Sequence, residues 1–435
     1  EKVAQVYIDR MQKMIDVEKI RTAIREKGLR WVFNTEHGAG GWWARKALES
    51  INKDFFILLD EEPLSDFGGK YPKGPNTEEW GQLKPLLDLI VKEGLPGGGA
   101  TDGDADRFFF ADEKGTPINF NVVLALLFDY LRNVRGIDGS FKTCVDASGI
   151  FEKIGTVLKR EPIGFKSFQD DLKDPLKRIL IAGEGGSGGL TLGPALDPEG
   201  IGHILDKDGI IAQVIFLEMV ADAMLKGKTV TDLINDLYQK YGYYAIAKTA
   251  SIKIPAEGKK GLEIGNKVVA KISVQCQLDG MLFGYKIKDI DTTDGLKIFL
   301  EDQKTGEVYW VLIRLSGTGG GVRAYAEAVS KESMEEATEL VNSICEQRDA
   351  LIKGLIAETA QEIEASSPVA SQILENKYEK DALTLVDKIH KIAFEWFDQV
   401  NRVNDQKYLG KNLAVHFRYL AFRNDTLQLR ESGVT

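Results

Sequence analysis

A chain of 435 residues, 43% apolar and 28% charged, has the composition of a globular protein of roughly three domains, each large enough to bury a core without disulfides. A net charge of −10 argues against general nucleic-acid binding, although it leaves room for a local basic pocket. Cys144, Cys276 and Cys345 are scattered without metal or redox spacing, no run of about 18 apolar residues occurs, and the first residues lack the apolar stretch of a signal peptide; the expected location is the cytoplasm, with no membrane partner.

Residues 1–28 have a charged helical pattern. Leu29 to Asn34 is a short apolar strand running into the glycine-rich turn His37 to Gly41 and a helix from about Trp42 to Ile51. A strand at Phe55 to Leu59, a Pro/Gly-rich loop and a helix with Leu83, Leu86, Leu87 and Ile90 on one face follow. A loop from Gly97 to Arg107 leads to the strand Phe108 to Ala111. The pattern restarts with a helix from Asn121 to Asn133, a strand at Thr143 to Asp146, a helix at Ile150 to Leu158, a strand at Arg178 to Ala182 and the loop Gly183 to Gly189. A long buried helix from Asp208 carries Ile210, Val214, Leu217, Ala221 and Leu225. The alternation predicts two consecutive α/β domains with mixed or parallel sheets, whose sequences share too little to show a repeat. From Tyr241 strand-like segments dominate, among them Ala250 to Ile254, Lys271 to Val274, Tyr309 to Ile313 and a half-exposed Val322 to Val329, before a helix from Lys331 to Lys353; this is a smaller α+β domain. The expected boundaries are 22–125, 126–241 and 242–354, with helix before them at 1–21 and a helical tail at 355–435, where Phe394, Trp396 and Phe397 suggest packing onto the body.

Three loops carry chemistry. In Thr101 to Arg107, Asp102, Asp104 and Asp106 alternate with small residues, so three carboxylates can converge on one hard cation. A calcium EF-hand would need glycine where Arg107 stands; a solvated acidic turn is the plain alternative. In Gly183 to Gly189, glycines let backbone approach a ligand while Glu184 and Ser187 offer an acceptor and a donor for sugar hydroxyls; a flexible turn would look similar. In Arg314 to Arg323, freed amides, Ser316, Thr318 and two guanidiniums form the toolkit for a phosphate dianion, without the Gly-Lys-Ser/Thr of a nucleotide loop.

In this order the loops resemble the signature of the α-D-phosphohexomutases. TDGDADR resembles their metal-binding loop, GEGGSGG their sugar-binding loop, and RLSGTGG with the later arginine their phosphate-binding loop, in wording closer to phosphoglucomutases than to the RPSGTEP of many phosphomannomutases. HGAGG at His37 to Gly41, Ile163-Gly164-Phe165-Lys166, and Gly202-His203-Ile204 with Lys207-Asp208-Gly209 are further matches, and the resemblance covers about residues 1–350. It implies phosphoryl transfer between C1 and C6 of a hexose phosphate, glucose favoured over mannose, through a bisphosphate intermediate, with Mg2+ as cofactor and glucose 1,6-bisphosphate as activator. It assigns Asp102, Asp104 and Asp106 to the metal, Arg107, Lys166 and His203 to catalysis, and Glu184, Ser187, Lys207, Arg314, Ser316, Gly317, Thr318 and Arg323 to substrate. His37, His390 and His416 are read as structural. The family carries its donor phosphoserine in a first-domain loop resembling TASHNP. No such loop occurs here, Ser148 in Asp146 to Gly149 being only superficially similar, so residues 1–21 are read as the remnant of that domain. A non-catalytic sugar-phosphate-binding or structural protein derived from the family is the alternative.

Overall fold

The computed structural model describes residues 2–248, 251–316 and 320–365. Helices α1 (Lys2–Met14) and α2 (Val17–Lys27) lead into β1 (Trp31–Asn34), α3 (Gly41–Glu49), β2 (Phe56–Leu59), α4 (Lys84–Glu93), β3 (Gly97–Thr101) and β4 (Phe108–Asp112). The sheet runs β2-β1-β3-β4, with β1 parallel to β2 and β3, and β3 antiparallel to β4. Then come α5 (Phe120–Asp129), β5 (Ser140–Thr143), α6 (Ile150–Ile154), β6 (Thr156–Val157), α7 (Gln169–Leu172), β7 (Ile179–Glu184), β8 (Gly189–Leu192), α8 (Gly209–Leu225) and α9 (Val230–Tyr241). Their sheet, β6-β5-β7-β8, has the same order and the same strand senses as the first. The two α/β units therefore share one topology, which their sequences do not reveal.

The third part is antiparallel. β9 (Tyr243–Lys248), β10 (Ile252–Lys253), α10 (Gly258–Asp279), β11 (Met281–Leu282), β12 (Tyr285–Asp291), β13 (Leu296–Glu301), β14 (Val308–Leu315) and β15 (Gly321–Ser330) precede α11 (Met334–Ala365). The sheet runs β10-β15-β14-β13-β12-β11, with β9 also on β15. One face presents Lys297, Phe299, Trp310, Leu312 and Tyr325, and packs on Val145 of the second unit.

Several expectations are corrected here. Gly97–Thr101 is a buried strand, not part of a loop. Its glycines disguise it: a β-carbon on Gly98 would lie 2.6 Å from Val32, and one on Gly99 2.0 Å from Gln213, so helices on both faces exclude any side chain. Lys271 to Val274 lies inside α10, whose buried Gly261, Ile264, Gly265, Val268, Ile272 and Cys276 follow helical spacing; Ile272 joins that buried face while Val274 is exposed. The strand expected at Thr143 to Asp146 ends at Thr143, and the helix expected to reach Leu158 stops at Ile154 because Gly155 is extended and starts β6. Val322 to Val329 is a strand but not half-exposed: Glu327 is buried, accepting from Trp310 Nε1 at 2.7 Å and the Gly149 N–H at 2.8 Å. The tail beyond residue 365, with Phe394, Trp396, Phe397, His390 and His416, lies outside the described residues, as do Thr249 and Ala250. Among the described residues no helix is long and apolar enough to cross a membrane, and the three cysteines are free and buried.

α8 holds the two α/β units together. It is apolar on almost every side, packing against α2, α3, α5 and strands of both sheets. Each of its buried polar side chains has a partner, Gln213 through its Nε2 alone. Gln213 Nε2 donates to the Ala100 carbonyl at 3.0 Å; Glu218 accepts from Tyr130 at 2.7 Å and the Asp16 N–H at 2.8 Å. Asp208 caps the helix, accepting from the N–H groups of Ile210 (2.8 Å) and Ile211 (3.0 Å), while its other oxygen meets Tyr7 Oη at 2.8 Å and His203 Nε2 at 2.7 Å. Burial raises the Asp208 carboxyl's pKa, but the His203, Ile211 and Tyr7 interactions outweigh it and hold the group below its ordinary value. Asp208→Ala should therefore cost about 2–4 kcal/mol, a cap plus charge-assisted hydrogen bonds. Because the folded pKa is depressed, this advantage is fully present above an unfolded pKa of about 4 and is lost as pH falls through the folded value. Chemical or thermal unfolding of wild type and variant should show a constant gap from neutral pH down to about 4, narrowing only below it.

Candidate functional site: two hairpin tips and a basic strand pair

The two acidic and glycine-rich loops are equivalent features of the repeated topology. Residues 102–107 form the tip between β3 and β4; residues 185–188 form the tip between β7 and β8. The tips meet. Arg107 and Gly189 form an antiparallel bridge, and the Phe108 N–H donates to the Gly188 carbonyl at 2.7 Å.

Local packing fixes the first tip. Ala105 adopts a left-handed conformation (φ 63°), its carbonyl accepting from the Gly209 N–H at 2.9 Å at the start of α8. On the other side the Ala39 N–H donates to the Gly103 carbonyl at 2.8 Å, and a β-carbon on Gly38 would lie 2.4 Å from that oxygen. The HGAGG turn thus serves as a seat for the acidic tip. Asp102, Asp104 and Asp106 each offer an oxygen within 4.8 Å of the others. Burial, then repulsion from Asp106 and Asp104, pushes the Asp102 carboxyl up to about 6 against the pull of the Arg107 N–H. Asp106 Oδ1 is buried without a hydrogen bond, with Arg107 Nε 3.8 Å away. Three converging hard oxygens, one without a hydrogen bond and one destabilised as an anion, fit a divalent cation.

Arg107 closes the tip, with Nε 3.5 Å from Asp102 and Nη1 3.3 Å from Glu78. Lys207 joins the two tips: its ammonium lies 3.1 Å from Asp106 Oδ2 and 3.8 Å from Glu184 Oε2. Glu184 is buried and accepts from Ser187 Oγ at 2.8 Å. Glu184 and Ser187 are thus in contact, and so are the acidic and glycine-rich loops.

On the third sheet, Arg314 and Arg323 stand directly opposite each other in the β14–β15 ladder. Like charges in that position repel, and an anion between them removes the penalty. Arg314 is partly balanced by Asp294 at 3.0 Å, whose carboxylate also accepts from the Ile163 N–H at 3.0 Å; Arg314 Nε is buried without a partner. The Ser316 N–H donates to the Gly321 carbonyl at 2.9 Å, pinning the base of the intervening loop. Gly317 and Thr318 lie outside the described residues. Tyr325, on the same face of β15 as Arg323, lines a cavity of about 210 Å³ with Gly185 and Gly186 of the second tip.

The structure does not bring every expected residue there. His203 is a correction: its ring is fully buried, bound to Asp208 and set edge-on to Tyr7 at 5.2 Å, so it braces the α8 cap and is closed off from substrate. Lys166 is exposed on a single turn and makes no ion pair among the described residues. His37 is structural as expected, with Nδ1 on the Glu62 carbonyl at 2.8 Å and Nε2 3.1 Å from Asp60. Two acids went unread. Glu36, in the seat of the acidic tip, is wholly buried, its carboxyl pushed up to about 8 by burial and by Asp102 and Asp60, with the Asn76 N–H opposing. Glu78 sits between Arg107 and Lys248 (3.7 Å). Neither has a motif around it; the only signal for Glu36 is an acid beside the HGAGG turn.

With this geometry in place, the comparisons are specific. The description "Phosphoglucomutase/phosphomannomutase, alpha/beta/alpha domain II" matches residues 5–115, and the corresponding domain III matches residues 119–241. The chain belongs to this family. A Thermococcus kodakarensis "Phosphoglucomutase/phosphomannomutase" is 30% identical over 341 residues, 78% of this chain and 65% of the relative. A Methanosphaera stadtmanae "Probable phosphoglucosamine mutase" is 27% identical, over 73% of this chain and 61% of the relative. This chain thus spans a little under two thirds of the length of these curated relatives. The fold matches pp63/parafusin from Paramecium in its open form, with a TM-score of 0.60 at 23% identity over 82% of this chain and 62% of that one.

Lys207 offers a direct test of the coupling between the tips. Lys207→Met leaves Asp106 and Glu184 without their shared cation and should cost about 1–3 kcal/mol at pH 7.5 in chelator. Asp102 titrates above an ordinary aspartate, so its charged form disfavours the fold above about pH 6 and the strain eases as protons bind below it. The loss of thermal midpoint should therefore be smaller at pH 5 than at pH 7.5.

Proposed function

We propose that this chain carries the metal, sugar and phosphate sites of a phosphohexomutase, the reaction being phosphoryl transfer between C1 and C6 of a hexose phosphate through a bisphosphate. The observation that supports this best is the Lys207 contact, which sets the three-acid tip and the Glu184–Ser187 tip side by side. Mg2+ held by Asp102, Asp104 and Asp106 would offset charge on the transferring phosphoryl group. Arg107 holds that same phosphoryl group. Glu184 accepts from and Ser187 donates to ring hydroxyls, with Lys207 alongside. Arg314 and Arg323, with Ser316, Gly317 and Thr318, bind the phosphate that is not reacting; the fork of each guanidinium suits two oxygens at once. Lys166 belongs with the substrate through its neighbour Ile163, tied by Asp294 to Arg314. RLSGTG favours glucose over mannose, and glucose 1,6-bisphosphate is the expected activator. Buried free cysteines suit a reducing cytoplasm.

A second reading, sugar-phosphate binding without turnover, is put to these 435 residues because no TASHNP-like loop occurs among them. Donor positioning supplies much of the rate in phosphoryl transfer, and these loops bind and orient without providing a phosphoserine. The 435-residue chain should therefore bind glucose 1-phosphate well above free glucose and show negligible conversion to glucose 6-phosphate in a coupled assay with Mg2+ and a trace of glucose 1,6-bisphosphate. Equal affinity for glucose and its phosphate would exclude both readings, whereas robust turnover would exclude the second. For the metal, Asp104→Asn removes one anionic ligand from an exposed position; it should weaken Mg2+ binding about tenfold or more with little change in thermal midpoint, as calorimetric titration can show.

A further inference from the structure

The chain between β5 and α6 turns through Cys144 to Gly149, and this turn is clamped from three directions. Arg160 donates to the carbonyls of Cys144 (3.2 Å), Ala147 (2.7 Å) and Ser148 (2.7 Å). Asn121 accepts from the Ser148 N–H at 2.9 Å and donates to the Gly185 carbonyl at 3.0 Å, tying the turn to the sugar-loop tip. From the third sheet, Lys297 donates to the Val145 carbonyl and Glu327 accepts from the Gly149 N–H at 2.8 Å.

In this frame Asp146 is only 6% exposed, yet it is among the residues lining the cavity of about 210 Å³ shared by Gly185, Gly186, Lys248 and Tyr325. A β-carbon on Gly186 would lie 2.5 Å from Asp146 Oδ2; glycine at that position is what admits the carboxylate against the tip. Asp146 Oδ1 is buried without a hydrogen-bond partner. Burial and the nearby Glu184 push its carboxyl up to about 6, against the pull of Lys297 and Arg314. A buried carboxylate with an unused oxygen, on a clamped turn in the cavity wall and against the second tip, has hydrogen-bonding capacity left for a donor on a ligand. A carboxylate can only accept and a phosphoryl dianion has no proton to give, so the matching group on a sugar phosphate is a ring hydroxyl.

We propose that Asp146 is a substrate-contacting, specificity-determining residue whose free oxygen accepts a hydrogen bond from one ring hydroxyl of the bound hexose phosphate, beside Glu184 and Ser187. The assignment rests on the sugar-phosphate reading above. It makes orientation a matter of charge: phosphate toward Arg314 and Arg323, a ring hydroxyl toward Asp146.

The test is calorimetric titration of wild type, Asp146→Asn and Asp146→Ala with glucose 1-phosphate or mannose 1-phosphate, whichever binds wild type more tightly, and with its monodeoxy analogues. A hydroxyl bonded to a carboxylate should make one analogue bind wild type about ten- to a hundredfold more weakly than the parent. In Asp146→Ala that single penalty should vanish while the other analogues keep theirs; in the near-isosteric Asp146→Asn, which guards against a folding defect, it should shrink. Analogue penalties identical in wild type and both variants would overturn the role of Asp146 and leave the sugar-phosphate reading standing. Failure of wild type to bind either sugar phosphate would overturn both.

Discussion

One helix without a solvent face sets the terms for the rest of the molecule. α8 is surrounded by both α/β units, so the polar side chains it buries must find partners within the protein. Asp208, Gln213 Nε2 and Glu218 find them by reaching out to α1, to β3 and to the turn before α2, and Gln213 Oε1 is left without a hydrogen bond. The same helix start receives the Ala105 carbonyl and so holds the acidic tip. Core and site are therefore not separable here. The bonds that satisfy a buried helix also hold the acidic tip in place.

Much of this was legible in the sequence. The alternation of short apolar strands and helices was enough for two α/β units, because Val, Ile and Phe in runs of four to six residues mark strands buried on both faces. The acids at every second position and the glycine runs located both tips. What was illegible follows from physics that composition hides. Gly97 to Thr101 reads as a loop because glycine has low strand propensity, yet glycine is required there by Gln213 and Val32. Lys271 to Val274 reads as a strand because β-branched residues prefer one, yet tertiary packing of a 22-residue helix overrides that preference. His203 looked chemical beside the KDG motif, and only the coordinates show that its partner is the helix cap. Glu36, Glu78 and Asp146 lie in no motif; their significance arises from burial and from neighbours distant in sequence, which no local pattern encodes.

The third sheet contributes through a face of mixed character. Trp310, Leu312 and Tyr325 give it apolar contact with Val145, while Lys297, held over the Trp310 ring at 4.1 Å, and the buried Glu327 bind the backbone of the Cys144 to Gly149 turn. Burial draws the Lys297 pKa well below that of an ordinary lysine and raises that of Glu327, so this contact carries charge at a considerable desolvation cost. An apolar face alone would slide; paired hydrogen bonds to one turn fix its register.

The duplicated topology has a consequence for how such a site diversifies. Each tip is closed at its base by an antiparallel ladder, Thr101 with Phe108 in one unit and Glu184 with Gly189 in the other. Residues added to or taken from a tip leave the sheets beneath undisturbed, much as a tool bit is changed without altering the handle. The acidic tip, gripped on both sides by Gly38 and Gly209, has little freedom to vary. The glycine-rich tip is held as closely: a β-carbon on Gly185 would lie 2.1 Å from Asn121 Oδ1 and one on Gly186 2.5 Å from Asp146 Oδ2, so neither position takes a side chain without moving a neighbour. A new side chain at either tip therefore has to be matched by a change in the neighbour that seats it.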